Sequence, residues 1–266
     1  MKKYAVIGNP VKHSLSPELH KLIYKSIGYE ADYEKILVKS NQLNNFYNNN
    51  SLDGFNITIP HKIDIIPLLE NIDNVAKRIK SVNCIFQTTG FNTDWLGIKK
   101  SLNKNNISLK DKNCLILGSG GVCRTIIYTL YKVGAKTISI KNRKNSKNAS
   151  LMKWVNKLIP NNHLPIQTDV IINCTSVGMW PLIDEVPFGL NNFSKDQIVI
   201  DTIYNPIETA LIKKAKSLGA KTINGLDMFI FQAIESINIW IGEDITDKLN
   251  LNHIKKELES ILCLQN

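Results

Sequence analysis

At 266 residues and 30.0 kDa the chain is near the size at which one hydrophobic core stops growing and a second begins, so two domains are expected. Apolar residues make up 43% and charged residues 21%, which excludes a disordered chain, and no apolar run approaches the roughly 20 residues that span a bilayer. The net charge of +10 is dispersed among asparagines and isoleucines with no basic block, which argues against a nucleic-acid partner and for a solvated surface that attracts small anions. The first fourteen residues hold one short apolar run broken by Asn9-Pro10, so a cytoplasmic protein without a membrane partner or targeting segment is expected. Scattered cysteines and histidines without ligand spacing point to reduced thiols and no metal.

In chain order, Lys3 to Gly8 reads as a strand and Pro17 to Ile27 as a helix, with Ser16 as N-cap and Pro17 in the first turn. Ala31 to Val38 is a second strand and Gln42 to Asn48 a helix. Gly54 to Lys62 reads Gly-Phe-Asn-Ile-Thr-Ile-Pro-His-Lys: Phe55, Ile57 and Ile59 alternate with Asn56 and Thr58, giving a strand with one core face and one polar face. Pro60 ends that strand and delivers Lys62 to the rim beyond its carboxyl end, where open α/β sheets bind ligands. Weak helical patterns fill Lys62 to Lys80, Val82 to Gln87 reads as strand, and Asp94 as the N-cap of a helix running to Leu102. After a polar junction, a second series of strands is expected at Cys114 to Leu117, Thr137 to Ile140, Val170 to Ile172, Ile198 to Ile200 and Thr222 to Ile223. Helices lie between them, and Leu226 to Ile241 and Ile254 to Leu264 close the chain. Alternating strands and helices imply α/β domains with largely parallel sheets.

The second series opens with Gly118-Ser119-Gly120-Gly121-Val122 between a strand and a helix. Gly118 permits a tight turn, Gly120 lets the backbone approach a pyrophosphate, and the helix N-terminus offers free N–H groups, so the turn reads as a dinucleotide site or else as a structural turn. Cys123 stands where the usual fingerprint has its third glycine. The next strand ends in Asn142-Arg143-Lys144, where an NAD enzyme would carry an acid. Arginine and lysine there suit the 2′-phosphate of NADP, the alternative being basic loop residues with no partner.

Taken together, the sequence resembles shikimate dehydrogenase from Tyr4 to about Gly242. The resemblance rests on Gly8-Asn9-Pro10 with Ser14-Leu15-Ser16-Pro17, Phe55 to Lys62, Val82-Asn83, Asn92-Thr93-Asp94, Gly118 to Gly121 and Asn142-Arg143. It continues through Asn173-Cys174-Thr175-Ser176-Val177-Gly178-Met179, Asp201-Thr202-Ile203-Tyr204-Asn205-Pro206, and Gly225 to Gln232. It implies a substrate domain of residues 1–96 plus 225–266 and a Rossmann-like NADP domain of residues 97–224, with the chemistry in a cleft between them. It implies that Ser14 and Ser16 bind a substrate carboxylate, that Thr58, Asn83, Tyr204 and Gln232 hold ring hydroxyls, and that Lys62 and Asp94 flank the reacting oxygen. It implies dinucleotide contacts from Gly118, Ser119, Gly120, Gly121, Val122, Asn142, Arg143, Lys144, Thr175, Ser176, Ile203, Gly225 and Met228, the last two sharing a helix face with Gln232. The activity it implies is reversible NADPH-dependent reduction of 3-dehydroshikimate to shikimate, by a monomer or homodimer.

Read without the family, Ser16 and Asp94 are also helix caps, Asn83 a turn residue, Gln232 a solvent-facing glutamine and Tyr204 a packing residue. The chain departs from the family pattern at Lys80-Ser81 and at Trp95, where glycine is usual, and at Lys144, where threonine is usual. Alternatives are a quinate/shikimate dehydrogenase with looser cofactor choice, an NADP-binding sensor without catalysis, and an RNA-binding protein. The Arg143 reading has a direct check in nucleotide affinities. Arg143→Ala is expected to weaken NADPH by about 1.5–3 kcal/mol, one charge-assisted hydrogen bond, and to leave NADH nearly untouched; equal losses for both nucleotides contradict it.

Overall fold

The computed structural model describes residues 1–142, 145–163, 167–190 and 192–265. The chain divides into two compact units, Met1–Gly97 with Ile230–Ser260, and Ile98–Phe229 with the stretch from Ile261 onward.

The first unit is built on β1 (Lys2–Gly8), α1 (Ser16–Ile27), β2 (Ala31–Leu37), α2 (Leu43–Asn49), β3 (Gly54–Ile57), β4 (Asn71–Ile72), α3 (Asn74–Ile79), β5 (Cys84–Phe86) and β6 (Thr89–Phe91). The sheet runs β2-β1-β3-β5-β6-β4, with β1 parallel to both β2 and β3, β5 antiparallel to β3 and β6, and β4 parallel to β6. The sheet is therefore mixed, parallel over β2, β1 and β3 and again at the β6–β4 edge. Ala5, Ile7, Phe55, Ile57, Ile65 and Ile85 pack into one buried cluster.

Several local expectations give way to packing. β3 stops at Ile57, all four of its residues are buried, and Ile59 is 53% exposed instead of facing the core. The polar side chain of the alternating strand, Asn56, is thus buried and must find partners inside the protein. Ser16 is the first helical residue of α1 and not its cap; the N-cap position is Leu15, with no side-chain cap. The single strand expected over Val82 to Gln87 is a hairpin, β5 and β6, turned at Gln87 in the left-handed region at φ 54, a conformation that glutamine does not announce. Gly54 has a packing reason: a Cβ there would lie 2.6 Å from Trp240 Nε1, which donates to the Ile85 carbonyl at 3.0 Å.

The chain continues with α4 (Asp94–Lys104), β7 (Asn113–Leu117), α5 (Gly121–Lys132), β8 (Thr137–Lys141), α6 (Asn145–Leu158), β9 (Val170–Asn173), β10 (Ile198–Asp201), α7 (Ala210–Ser217), β11 (Lys221–Ile223), α8 (Leu226–Ile241) and α9 (Leu251–Gln265). The second unit's sheet, β11-β10-β9-β7-β8, is parallel throughout. Its strands are short apolar runs with a buried cluster on each side, one including Ile116, Ile126, Ile138 and Ile172, the other Leu117, Ile171, Val199 and Leu211. The order in which strands are laid down reverses between β7 and β9, the place where an open α/β sheet leaves a crevice at the strands' carboxyl ends.

In the first unit, His20 of α1 is fully buried, stacked on Tyr33 with ring centroids 3.7 Å apart, and its Nδ1 donates to the Ser16 carbonyl at 2.8 Å. Nε2 then carries the lone pair, is buried and has no partner. Burial lowers the imidazole to about 3 from 6.5, against the raising effect of the Ser16 carbonyl. The unfolded chain binds a proton below pH 6.5 that the folded chain refuses until about pH 3, so stability present above pH 6.5 is lost as pH falls through that window. The expected loss from this group is about 2 kcal/mol between pH 6.5 and 5, at about 1.4 kcal/mol per pH unit. Urea titrations at pH 7 and pH 5 should show a smaller acid penalty in His20→Phe by about that amount; an unchanged difference removes His20 as the cause.

Candidate active site

In the first unit the polar residues of four segments converge. Lys62 follows the end of β3, and its backbone is pinned from both sides. The Val82 amide donates to the Lys62 carbonyl at 2.8 Å, and the preceding buried His61 donates Nε2–H to the Val38 carbonyl at 2.7 Å. Its Nζ stands 2.6 Å from Asp94 Oδ2, with side-chain exposures of 12% and 5%. Asp94 begins α4, but its carboxylate does not cap the helix: the Trp95 amide donates instead to Asn92 Oδ1 at 3.2 Å, leaving both Asp94 oxygens for side chains. Asp94 Oδ1 accepts from Asn83 Nδ2 at 3.0 Å.

Asn83 is held on every side. Its Oδ1 accepts from the Thr93 amide at 2.6 Å, which settles which end of the side-chain amide is oxygen. Its two Nδ2 hydrogens go to Asp94 Oδ1 and, at 2.9 Å, to Thr93 Oγ1. Behind it, Asn56 Nδ2 donates to the Asn83 carbonyl at 3.1 Å and to Ser236 Oγ of α8 at 2.9 Å, while Asn56 Oδ1 accepts from Tyr33 at 2.8 Å. Near the start of α1, the Ser14 hydroxyl donates to Ser16 Oγ at 3.0 Å and accepts from the Ser16 amide at 3.2 Å, which leaves the Ser16 hydroxyl hydrogen for an incoming acceptor. Thr58 is half-buried, two residues beyond Asn56. Gln232 lies on α8 one turn before Ser236, whose hydroxyl donates to the Gln232 carbonyl at 2.9 Å.

In the second unit a cavity of about 530 Å³ opens at the β7/β9 switch point, lined by Gly118 to Gly120, Asn142, Thr175 and Ser176 among others. Gly118 has φ 105, a conformation that favours glycine, and a Cβ there would press on the Cys174 carbonyl oxygen at 3.1 Å. Gly120 has no such constraint: a Cβ there meets no protein atom within 4 Å. Gly121 and Val122 open α5, whose first turn has no side-chain cap, so its amides remain for an anion. Ser119 Oγ accepts from Asn142 Nδ2 at 2.5 Å. Thr175 is positioned by Asn173 Oδ1, which accepts from its amide at 3.0 Å and its hydroxyl at 2.7 Å. Asn173 in turn donates to Asp201 Oδ1 at 3.0 Å, and the other Asp201 oxygen accepts from Thr209 at 2.7 Å. Burial raises the Asp201 carboxyl to about 6, with the Thr209, Ile203 and Asn173 donors pulling it back. Burial also pushes the Cys123 thiol up to about 12, so the cysteine at the third fingerprint position is a packing residue with an inert thiol.

Known proteins share both halves. Residues 6–85 match the model of the shikimate dehydrogenase substrate binding domain and residues 99–206 that of shikimate / quinate 5-dehydrogenase. A shikimate dehydrogenase (NADP(+)) of Caldicellulosiruptor bescii is 38% identical over 257 residues, 90% of this chain and 89% of that one. The chain belongs to the shikimate dehydrogenase family. It also superposes on a shikimate dehydrogenase crystallised with NADP+, with a TM-score of 0.89 and 34% identity over 98% of this chain and 96% of the other. The Thermus thermophilus shikimate dehydrogenase in complex with NADP(H) and shikimate gives 0.83 and 27%, over 98% and 100%. The family is one of oxidoreductases, and this chain has its two-domain α/β architecture.

Of the remaining residues that the shikimate dehydrogenase resemblance singles out, Tyr204 is in the second unit, stacked on Phe229 with centroids 4.1 Å apart. Ile203 is buried, with its amide donating to Asp201 Oδ1 at 3.1 Å, and its carbonyl accepts from the Gly225 amide at 2.8 Å. Gly225 immediately precedes α8 and its carbonyl accepts from the Phe229 amide at 2.9 Å; a Cβ there would collide with the Thr202 carbonyl oxygen, which explains the glycine. Met228 packs against the second unit's core. Arg143 and Lys144 lie outside the described residues. Ser176 is exposed on the cavity's rim. Sequence reading does not single out Asn56, Thr93, Ser236, Asn173 or Asp201 as site residues. Asn173 and Asp201 carry the one available signal, a polar residue closing an apolar strand run; Asn56 stands on the face that the alternation assigns to solvent, and Thr93 and Ser236 carry none.

The residues present fit a dinucleotide: an uncapped helix N-terminus, a glycine at which a Cβ would project into open space, and a cavity rather than a filled turn. Gly120→Val should therefore fold with a near-normal melting temperature and bind NADPH at least tenfold more weakly, a loss of about 1.4 kcal/mol or more. Normal affinity in the folded variant would show that the open space is not where the nucleotide runs.

Proposed function

We propose that the protein catalyses the reversible, NADPH-dependent reduction of 3-dehydroshikimate to shikimate, with Lys62 and Asp94 as the acid–base pair. The observation that carries this reading is the 2.6 Å Lys62 Nζ to Asp94 Oδ2 contact at the carboxyl end of a parallel strand. It is supported by relatives named shikimate dehydrogenase (NADP(+)) and by a similar structure that holds NADP(H) and shikimate.

NADPH, when bound, supplies the hydride. Reduction of a ketone leaves a developing alkoxide, and the Lys62 ammonium is the cationic donor that can meet it and deliver a proton. Asp94 holds the ammonium in place and shares the proton's charge; in the oxidative direction the same pair takes the hydroxyl proton. Asn83 has both N–H groups committed, so it meets a ring hydroxyl only as an acceptor, through Oδ1. The Ser16 hydroxyl, backed by Ser14, is the donor for the substrate carboxylate. In the second unit, the α5 N-terminus and Gly120 would hold the pyrophosphate, Thr175 and Ser176 would lie beside it, and Arg143 is assigned the 2′-phosphate from the sequence.

Lys62→Ala is expected to lower turnover of shikimate with NADP+ by about 10²–10⁴, the usual worth of a general acid or base, with nucleotide affinity kept. Absorbance at the reduced nucleotide band and a separate NADPH titration read the two quantities. Near-normal turnover in a folded variant removes Lys62 from the chemistry.

A further inference from the structure

The Lys62–Asp94 pair is held by a hydrogen-bond chain that ends on a distant helix. Asp94 Oδ1 is met by one Asn83 Nδ2 hydrogen, and the direction of that hydrogen depends on where the other one goes. The other goes to Thr93 Oγ1 at 2.9 Å. Thr93 Oγ1 lies 3.1 Å from Ser236 Oγ, and the direction of that bond follows from counting hydrogens. Ser236 has one hydroxyl hydrogen and gives it to the Gln232 carbonyl, which can only accept, so the Thr93 hydroxyl donates to Ser236. That donation turns a Thr93 lone pair toward Asn83. Thr93 is 1% exposed, Ser236 0% and Asn83 2%, so water does not compete for any of these groups.

We propose that Thr93 is a positioning residue for the reaction. Its hydroxyl, aimed by Ser236, fixes the Asn83 amide so that Asn83 holds one Asp94 oxygen and leaves the other for Lys62. The inference rests on the acid–base reading of Lys62 and Asp94. Thr93 touches neither reacting atoms nor, on this geometry, the ammonium; it acts through Asn83. Removing its hydroxyl leaves one buried Asn83 N–H without an acceptor, and the amide relieves this by turning. Asp94 then loses its fixed partner, and the ammonium it steers leaves the productive line.

The near-isosteric Thr93→Val, which removes the hydroxyl, and Thr93→Ser, which removes the methyl, separate the two groups, with Lys62→Ala measured beside them. Thr93→Val is expected to lower kcat on the order of tenfold to a hundredfold, the scale of a misplaced catalytic group. It should displace the pH profile of kcat and leave the KM for NADP+ within about twofold. Thr93→Ser should stay within about threefold of the parent with the parent's pH profile. Equal losses in the two variants, or a Thr93→Val loss with an unmoved pH profile, would assign Thr93 to packing and overturn the proposal. Should Thr93→Val not fold, Ser236→Ala reaches the same bond from α8, and a kcat loss with the same displaced profile is expected there; an unmoved profile overturns the proposal. Full turnover in Lys62→Ala would remove the acid–base reading and this inference with it. An inactive Lys62→Ala beside a fully active Thr93→Val overturns the positioning role alone.

Discussion

A lysine and an aspartate that have nearly left water, 12% and 5% exposed and 2.6 Å apart, set the terms for the first unit. Desolvating two charges costs several kcal/mol each, and their mutual attraction offsets this only when the remaining lone pairs and protons also find partners. Lys62 meets one Asp94 oxygen; the second oxygen needs a donor, and the donor needs to be aimed. That requirement reaches from the start of α4 through Asn83 to Asn56 on β3 and Ser236 on α8. It also accounts for the burial of Asn56 in a strand whose other three residues are all buried too. A helix some 140 residues away in sequence from Thr93 is thus tied to the ion pair by side-chain hydrogen bonds, |i−j| being 143 for Thr93 and Ser236.

The second unit applies the same rule beneath its cavity. The cavity sits at the switch point of a parallel sheet, where two neighbouring strands end in polar residues that face each other in register, Asn173 on β9 and Asp201 on β10. Each is essentially buried and each commits its hydrogen-bonding capacity to the loop that follows it: Asn173 to Thr175, Asp201 to Ile203 and to Thr209. Of the two loops, the one after Asn173 lines the cavity, so Thr175 and Ser176 are shaped from beneath by Asn173, which Asp201 in turn holds. A protonation value raised by burial is the consequence of placing a carboxylate there.

Legibility in the sequence follows the range of the interaction. The five strands of the second unit and the ends of α8 are readable because apolar runs between polar breaks depend on a few neighbouring residues. The glycine turn is readable for the same reason. The Ser16 and Asp94 caps mislead because a serine or aspartate before a helical pattern looks alike whether it bonds to the helix or to something remote. In the structure Asn92 receives the Trp95 amide, and Asp94 turns to Lys62. Ile59 fits the strand's alternation, yet the strand ends before it at Ile57. The hairpin at Gln87 is hidden because a non-glycine residue takes the left-handed turn, held by the pairing of β5 with β6. That Lys62, Asp94 and Asn83 stand together comes only from resemblance, since no local pattern spans the 32 residues between lysine and aspartate. Thr93 and Ser236 have no local signal at all.

Gly118 and Gly120 are the same residue two positions apart, and they hold different kinds of information. At Gly118 the backbone sits at φ 105 against the Cys174 carbonyl, so any side chain is paid for in folding free energy. Stability added elsewhere in the molecule can compensate such a loss. At Gly120 the neighbouring space is open, so a side chain disturbs the fold little and consumes room instead. No global stabiliser gives that room back. A side chain at Gly118 is therefore read in the stability of the fold and one at Gly120 in the room left in the cavity, so two glycines two positions apart report on separate properties of one turn.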